Sequence, residues 1–359
     1  MSRELEDRMT QSRRGFFRVM GLSAAAATLA SCQRTPVQNI IPFLVQPEDV
    51  RPGVAVWYAS TCGACSASCG LLVKTRDGRP IKVEGNGLHP VSNGGVCAIG
   101  QASVLTLYDA ARAQQPVSLG QPAKWRDLDR AVRDGLRRLA ASGRAIRLVT
   151  QPYAGPSGEA AIARFLAAYP TAQRVSHDPL GATGIAGAHL FTHGVRAIPA
   201  YRLEKARVIV SFAADFLGTW VQPVALTKQY VSGRDPSRSG IMSRHFQLEP
   251  NLTLTGSNAD VRETLPPSGV IPALAQLAKR LGIEVPFSSP AKLSAGMLDR
   301  LAEELRAAAG ASLVLCGSDA LAAQCLTNAI NEALGNYGKT IALSDGVVLP
   351  EGRSIDDLL

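Results

Sequence analysis

The side chains best equipped for chemistry are four cysteines in one stretch, Thr61 to Gly100: TCGACSASCGLLVKTRDGRPIKVEGNGLHPVSNGGVCAIG. They are spaced Cys62-x2-Cys65-x3-Cys69, then 27 residues, then Cys97. Three thiols so close in sequence can occupy three corners of a cube, and a distant fourth closes it. Iron–sulfur cubanes are held by four Cys thiolates in runs of this kind. Two other chemistries use the same side chains. Structural zinc also takes four thiolates, usually as two separated close pairs and not as a triplet with a singleton. Two disulfides are open to an exported protein. The spacing points first to a cluster.

Positioning these thiols requires a device that brings Cys97 back to the triplet. Leu71-Leu72-Val73-Lys74 and Ile81-Lys82-Val83-Glu84 read as short strands, with Asp77-Gly78 between them as a hairpin turn. Gly70, Gly85, Gly94 and Gly95 lie near the thiols in sequence, where a missing Cβ lets backbone N–H groups approach sulfur or simply serves turns.

The run from Cys62 to Gly100, followed by Gln101-Ala102-Ser103 and Leu107-Tyr108-Asp109, resembles the cluster-binding N-terminal domain of the molybdopterin-dinucleotide oxidoreductases. Within them it is most similar to the molybdopterin-oxidoreductase-like subunit of alternative complex III, a periplasm-facing quinol oxidoreductase that passes electrons to cytochrome c-type carriers. The resemblance continues through Phe212-Ala213-Ala214-Asp215-Phe216-Leu217-Gly218-Thr219 and Leu254-Thr255-Gly256-Ser257-Asn258-Ala259-Asp260. It returns in Asn328-Ala329-Ile330-Asn331-Glu332 with Gly335-Asn336-Tyr337-Gly338. It implies one [4Fe-4S] cluster on Cys62, Cys65, Cys69 and Cys97. It also implies three kinds of partner: a quinol-binding membrane subunit, a ferredoxin-like iron–sulfur subunit and c-type cytochromes.

At 359 residues, with 46% apolar and 19% charged residues, the chain suits a globular protein with a substantial core. The net charge of +9 favours anionic partners. No basic run interleaved with aromatics occurs, so nucleic acid is not an expected partner. After the leader no apolar stretch reaches the length of a membrane span. Ser12-Arg13-Arg14-Gly15-Phe16-Phe17-Arg18 reads as a twin-arginine export sequence before a short apolar run, Val19 to Ala30. Leu29-Ala30-Ser31-Cys32 looks like a lipoprotein cleavage site, making Cys32 the lipidated residue and the outer face of the inner membrane the expected location. The alternative is a plain signal peptide with an incidental Cys. Export of folded protein agrees with a cluster loaded beforehand.

The expected organisation is therefore a signal peptide over 1–31, a tether over 32–53, a small β-rich cluster domain over 54–112, and an α/β region over 113–359. In that region apolar strands alternate with helices, which implies a doubly wound parallel sheet. Leu128, Val132, Leu136 and Leu139 repeat at helical spacing, with arginines on the opposite face. Strands are expected at Ala145–Thr150, Val208–Phe212, Phe246–Leu248 and Ser312–Cys316. Helices are expected at Gly158–Ala168 with Ser157 as N-cap, at Leu293–Ala308, and at Ala320–Leu334 ending on Gly335. Ligands of such sheets bind beyond the strands' carboxyl ends, where Asp215 and Asp319 stand either as nucleotide contacts or as helix caps. His189 and His193 share a helix face without the Glu of a zinc-hydrolase motif, and packing is the reading adopted for them. Cys316 and Cys325 read as free core thiols.

Three departures from the resembled family argue against a working molybdenum enzyme and make bound molybdopterin guanine dinucleotide doubtful. The segment that supplies the metal ligand, about Ser176–Ala188, holds Ser176 and Asp178 but places Leu180 nearest the ligand position. Ile99 stands where many catalytic members have Lys or Arg. The resemblance also stops before the family's C-terminal domain, and Ser354-Ile355-Asp356-Asp357 has a capping-box outline at a sheet expected to be left with an open edge. The first reading is an electron-transfer or scaffold subunit. The second is the N-terminal part of a catalytic molybdenum reductase acting on a sulfur compound or oxyanion. The third is a zinc- or disulfide-stabilised interaction module.

Overall fold

A computed structural model of the chain describes residues 20, 45, 48, 50–65, 67–151, 155–177, 182–240, 242–286, 293–349 and 353–354. The export leader, Cys32, Asp178, Leu180 and residues 355–359 lie outside the described residues. Contacts divide the chain into two units, one made of residues 1–56 and 75–79 and the other of the remainder.

Three strands open the fold, β1 (Ala55–Thr61), β2 (Gly70–Arg76) and β3 (Arg79–Gly85), in the sheet order β1-β2-β3. The β2–β3 turn is Asp77-Gly78, both left-handed at φ 50° and 77°, the geometry that matches strand twist in a two-residue hairpin. In the smaller unit Gly53 N–H donates to Asp77 Oδ1 (3.1 Å), and Thr75 Oγ1 donates to the Val56 carbonyl (3.2 Å). The short helix α1 (Ala98–Ala102) follows, then a hairpin of β4 (Val117–Ser118) and β5 (Gln121–Pro122) and the long helix α2 (Trp125–Ala141).

The α/β region continues with β6 (Ile146–Thr150), α3 (Pro156–Ala168), β7 (Ala172–Ser176), α4 (Thr183–His193) and β8 (Ala197–Tyr201). Next come β9 (Val208–Phe212), α5 (Pro223–Gly233), α6 (Pro236–Ser239), β10 (Arg244–Glu249), α7 (Leu254–Ser257) and β11 (Val261–Thr264). The described chain closes with α8 (Val270–Arg280), α9 (Ala295–Ala307), β12 (Ser312–Cys316), α10 (Leu321–Ala333), β13 (Ile341–Val348) and β14 (Arg353–Ser354). Each expected helix and strand forms, within a residue or two. Helix α3 begins earlier than expected: Pro156 takes its first position and Gly155 the cap, so Ser157 lies inside the first turn.

The central sheet is parallel, in the order β11-β10-β9-β12. Every residue of β9 and β12 is buried, as expected for strands covered on both faces. Val208, Val210 and Phe212 point to one layer, where Leu274 and Leu277 of α8, Leu301 and Leu305 of α9, and Ile330 of α10 close the core. Ile209, Leu313 and Leu315 point to the other, against Ile185 of α4 and Leu226 and Tyr230 of α5. Each such leucine removed from water contributes about 1.5–3 kcal/mol. A second parallel sheet runs β14-β7-β6. The body is not wholly parallel, because β8 pairs with β13 in antiparallel register. Residues 353–354 pair alongside β7 as strand, and the rest of the capping-box outline, Ile355 to Asp357, lies outside the described residues.

The expectation of an open sheet edge fails at β12. Asn331 of α10 lies along that edge and copies a strand partner: its Oδ1 accepts from Val314 N–H (3.0 Å) and its Nδ2 donates to the Val314 carbonyl (2.8 Å). Thr340 Oγ1 donates to the Ser312 carbonyl and Gln324 Nε2 to that of Cys316. Asn336 fixes Asn331 by donating to its Oδ1 (2.9 Å). This is the structural role of the Asn328–Glu332 and Gly335–Gly338 motifs: side chains close an edge where another strand could add.

Candidate iron–sulfur site

The hairpin and the loop after it bring Cys62 close to Cys69 on one side and to Cys97 on the other. Cys62 follows β1 directly, and its N–H donates to the Cys69 carbonyl (2.8 Å), tying the first and third cysteines together before β2 begins. Between them Ser68 adopts a left-handed φ of 44°, turning the chain sharply after Cys65. Cys62 and Cys69 are buried, Cys65 is half-buried and Cys97 is exposed. Ala67, Leu71 and Val83 form the small core around them, with Val73, Val96, Val104 and Val224 against it.

Cys97 is delivered by the loop 86–97, which is pinned at several points. Ser92 Oγ accepts from Gly70 N–H (3.1 Å), Asn86 N–H donates to the Gly70 carbonyl (2.9 Å), and Gly95 N–H donates to the Ser92 carbonyl (2.7 Å). Cys97 is the N-cap of α1, and Gly100 N–H donates to its sulfur (3.4 Å). A Cβ placed on Gly100 would stand 3.8 Å from Cys62 Sγ and 3.9 Å from Cys97 Sγ, so these two sulfurs flank the same glycine. Of the other glycines, Gly94 serves a turn at φ 84° and the rest make room for neighbours. A Cβ would collide with the His89 ring at Gly70, with the Gly94 carbonyl at Gly85, and with Val224 at Gly95. They permit close packing of the loop; Gly100 is the residue that lies against sulfur.

Burial first, and then the nearby Cys65, Cys62 and Cys97 thiols, push Cys69 up to about 11. All four are free thiols, as are Cys316 and Cys325. Among the described residues no three His, Cys, Asp or Glu side chains are grouped to hold a metal ion. A cubane asks for something else: each thiolate bonds its own iron, so the sulfurs stand apart around a shared volume. Cys62, Cys65 and Cys69 share one small core, and the Cys97 sulfur lies beside Gly100 with Cys62 and accepts a backbone N–H; this donor set fits such a group.

The remaining candidates resolve into structure. Asp215 follows β9 and accepts from Thr255 N–H (3.2 Å) and Oγ1 (2.7 Å), capping α7. Asp319 follows β12 and accepts from Gly184 N–H (2.7 Å) at the start of α4. Both are caps, but of helices distant in sequence. His189 Nδ1 lies 2.8 Å from the Ile185 carbonyl and so donates to it, leaving Nε2 to accept from Tyr337 OH (3.1 Å). Burial lowers His189 and raises Tyr337, which keeps both neutral.

Sequence reasoning missed a buried polar ladder on β10. Tyr230, His245, Gln247 and Glu249 connect in series, and Glu249 ends on Arg262 Nε (2.7 Å). Burial works to raise Glu249, but hydrogen bonds from Arg262, Thr253 and Gln247 outweigh it and hold the carboxylate below its usual range. The alternation of polar side chains at 245, 247 and 249 was the available signal. A cleft of about 1080 Å³ also lies between the loop at Pro90–Asn93 and strand β8, crossed by the Arg202–Asp345 ion pair.

Four cysteines presented by a small β-domain are a donor set that an iron–sulfur cluster can use. Residues 55–109 match the molybdopterin oxidoreductase Fe4S4 domain, and the group such a domain carries is a [4Fe-4S] cluster. The chain is 30% identical over 139 residues to the menaquinone reductase molybdopterin-binding-like subunit of Nitratidesulfovibrio vulgaris, a match covering 36% of this chain and 20% of that one. It is 37% identical over 82 residues to the molybdopterin-containing subunit of the arsenate respiratory reductase of a Shewanella species, covering 22% and 9%. Against the curated relatives compared, the chain thus spans a fifth or less of their length. Among solved structures, acetylene hydratase from Pelobacter acetylenicus aligns with TM-score 0.44 and 13% identity, covering 79% of this chain and 39% of that one.

Proposed function

We propose that Cys62, Cys65, Cys69 and Cys97 ligate one [4Fe-4S] cluster and that the chain serves as an electron-transfer or scaffold subunit of a membrane quinol oxidoreductase resembling alternative complex III. The observation that supports the ligand assignment is that the Cys62 and Cys97 sulfurs flank Gly100 while Cys62 N–H is bonded to the Cys69 carbonyl. A bound cluster supplies one-electron transfer. The chain's own part is to hold it, to exclude water on the Cys62 and Cys69 side, and to donate Gly100 N–H to a ligand sulfur, which favours the reduced, more negative state. Because Cys69 is neutral near pH 7 without metal, loading must release protons.

The subunit role, with a quinol-binding membrane subunit, a ferredoxin-like subunit and c-type cytochromes as partners, rests on the sequence resemblance. It is supported by the similarity to a subunit named molybdopterin-binding-like. Lipidation at Cys32 and a periplasmic location rest on the leader sequence alone. A second reading, the N-terminal part of a catalytic molybdenum reductase, is supported by the 37% identity to the arsenate respiratory reductase subunit.

The deciding experiment is anaerobic purification with iron, sulfide, zinc and molybdenum counted beside a low-temperature EPR spectrum of the reduced protein. About four irons and four sulfides without molybdenum support the electron-transfer subunit. Molybdenum with pterin moves the assignment to the catalytic reading, and zinc or no metal removes the cluster.

A further inference from the structure

The hairpin β4–β5 and helix α2 carry two unusual features within a short length of chain. Leu119 and Gly120 form the hairpin tip, with φ of 51° and 77°. Such tips favour Asn, Asp or Gly, and a leucine there is strained by its own Cβ. Leu119 nonetheless occupies it fully exposed at 101%, so no contact within the fold offsets that strain. Val117 on the same hairpin and Trp125 just after it are also exposed, at 61% and 66%.

The second feature is a row of arginines. Arg126, Arg130, Arg133 and Arg137 fall within an arc of about 60° at 3.6 residues per turn, a line roughly 16 Å long. All four are exposed, as is Lys124 at the helix cap. Among the described residues only Arg137 has an acidic neighbour, Asp134 at 4.0 Å; Lys124, Arg126, Arg130 and Arg133 have none. Asp129 and Asp134 flank the row on the wheel and Asp127 lies farther out; the arginines outnumber them, leaving the helix itself net positive. The apolar stripe of Leu128, Leu136 and Leu139 is half-buried, on the side that meets β6. The basic row therefore faces solvent.

We propose that this edge, Val117 to Arg137, is a peripheral docking surface for an anionic lipid bilayer. Leu119 and Val117 enter the acyl boundary, and the arginine row lies on the phosphates. An exposed apolar prong next to unpaired basic charge matches both layers of such an interface, whereas an acidic protein surface matches the arginines but leaves a strained, exposed leucine unexplained. Attachment here is separate from any lipid on Cys32 and does not depend on the cluster assignment.

The test uses the full chain carrying Cys32→Ser, so that no lipid on that residue contributes, in sedimentation with vesicles of phosphatidylcholine alone or with about one third phosphatidylglycerol. Binding to the anionic vesicles is expected at low salt, with loss near 0.5 M salt, where the screening length is only about 4 Å. Arg130→Glu with Arg133→Glu is expected to weaken it roughly 25-fold or more, since each surface charge counts for about a fivefold change. Leu119→Gly is expected to weaken binding roughly tenfold while leaving thermal stability unchanged or raised, because glycine accepts the tip's φ. That combination separates a docking role from a structural one. Failure of the parent chain to bind anionic vesicles overturns the proposal and leaves an acidic protein as the arginines' partner. Equal binding by the parent and both variants, with iron content matched, also overturns it.

Discussion

Gly85→Ala tests whether the loop that delivers Cys97 is held by contact. Gly85 ends β3, and a Cβ there would lie 2.0 Å from the Gly94 carbonyl oxygen, 2.5 Å from its carbon and 3.1 Å from its Cα. These are backbone atoms and cannot rotate away. Ordinary contact needs about 3.5 Å, so strand and loop must part by roughly 1.5 Å. Cys97 is three residues beyond Gly94, and metal sites tolerate ligand displacements of only about 0.2 Å. The loop is also tied back at Gly70 and Ser92, so it resists moving as a whole. The expected result is loss of most bound iron and sulfide, with a destabilisation of about 1–3 kcal/mol typical of overpacking. Gly87→Ala is the control, because a Cβ there meets nothing within 4 Å, and it should keep the full iron count. Gly85→Ala protein with four irons and the parent EPR spectrum would refute the reasoning. So would equal iron loss in the control.

Three further outcomes follow from the same structure. Asn331→Ala leaves the buried Val314 N–H and carbonyl unpaired, at about 1–3 kcal/mol for each group; a urea midpoint unchanged from the parent's would show that the side chain does not close the β12 edge. Burial lowers His245 from 6.5 to about 4, so the unfolded chain takes up a proton first as pH falls, and about 3 kcal/mol of stability present above pH 6.5 is lost towards pH 4. His245→Gln should flatten that part of the stability–pH curve, and an unchanged slope counts against the assignment. Ile99→Lys adds a cation two residues from Cys97 on an exposed helix face, and the cluster's midpoint potential should rise by on the order of tens of millivolts in a redox titration; no rise would place Ile99 too far from the cluster to act on it.

The legible parts were those set by short-range rules. Cys62-x2-Cys65-x3-Cys69 and Asp77-Gly78 act over a few residues, and the turn type alone fixes how β2 returns as β3. Strands β9 and β12 were legible because strands buried on both faces are continuously apolar. By contrast, β7 (Ala-Gln-Arg-Val-Ser) and β8 (Ala-Ile-Pro-Ala-Tyr) contain Arg174 and Pro199, which break that pattern. Arg174 is admitted to a buried position because both guanidinium nitrogens meet Glu159 (2.7 and 3.1 Å), a partner fifteen residues away that no local window contains. Pro199 fits because it falls at the register shift of the β8–β13 pair, between Ile198 and Ala200, where no ladder partner needs its N–H.

The same distinction explains why the sequence reading left an open edge where the structure has a closed one. An edge strand announces itself through its own pattern, and β12 reads as an interior strand that should have neighbours on both sides. What occupies the second side is the row Gln324, Asn331 and Thr340, two from one helix and one from the loop after it. Gln324 and Asn331 are seven apart, two helical turns, which at 1.5 Å per residue is about 10 Å. Cys316 and Val314, the residues they serve, are two apart on the strand, about 7 Å. The mismatch is absorbed by the longer glutamine side chain. Polar residues at that spacing on a helix ordinarily face water, so only the buried state of Gln324, Asn331 and Asn336 reveals that they stand in for a strand.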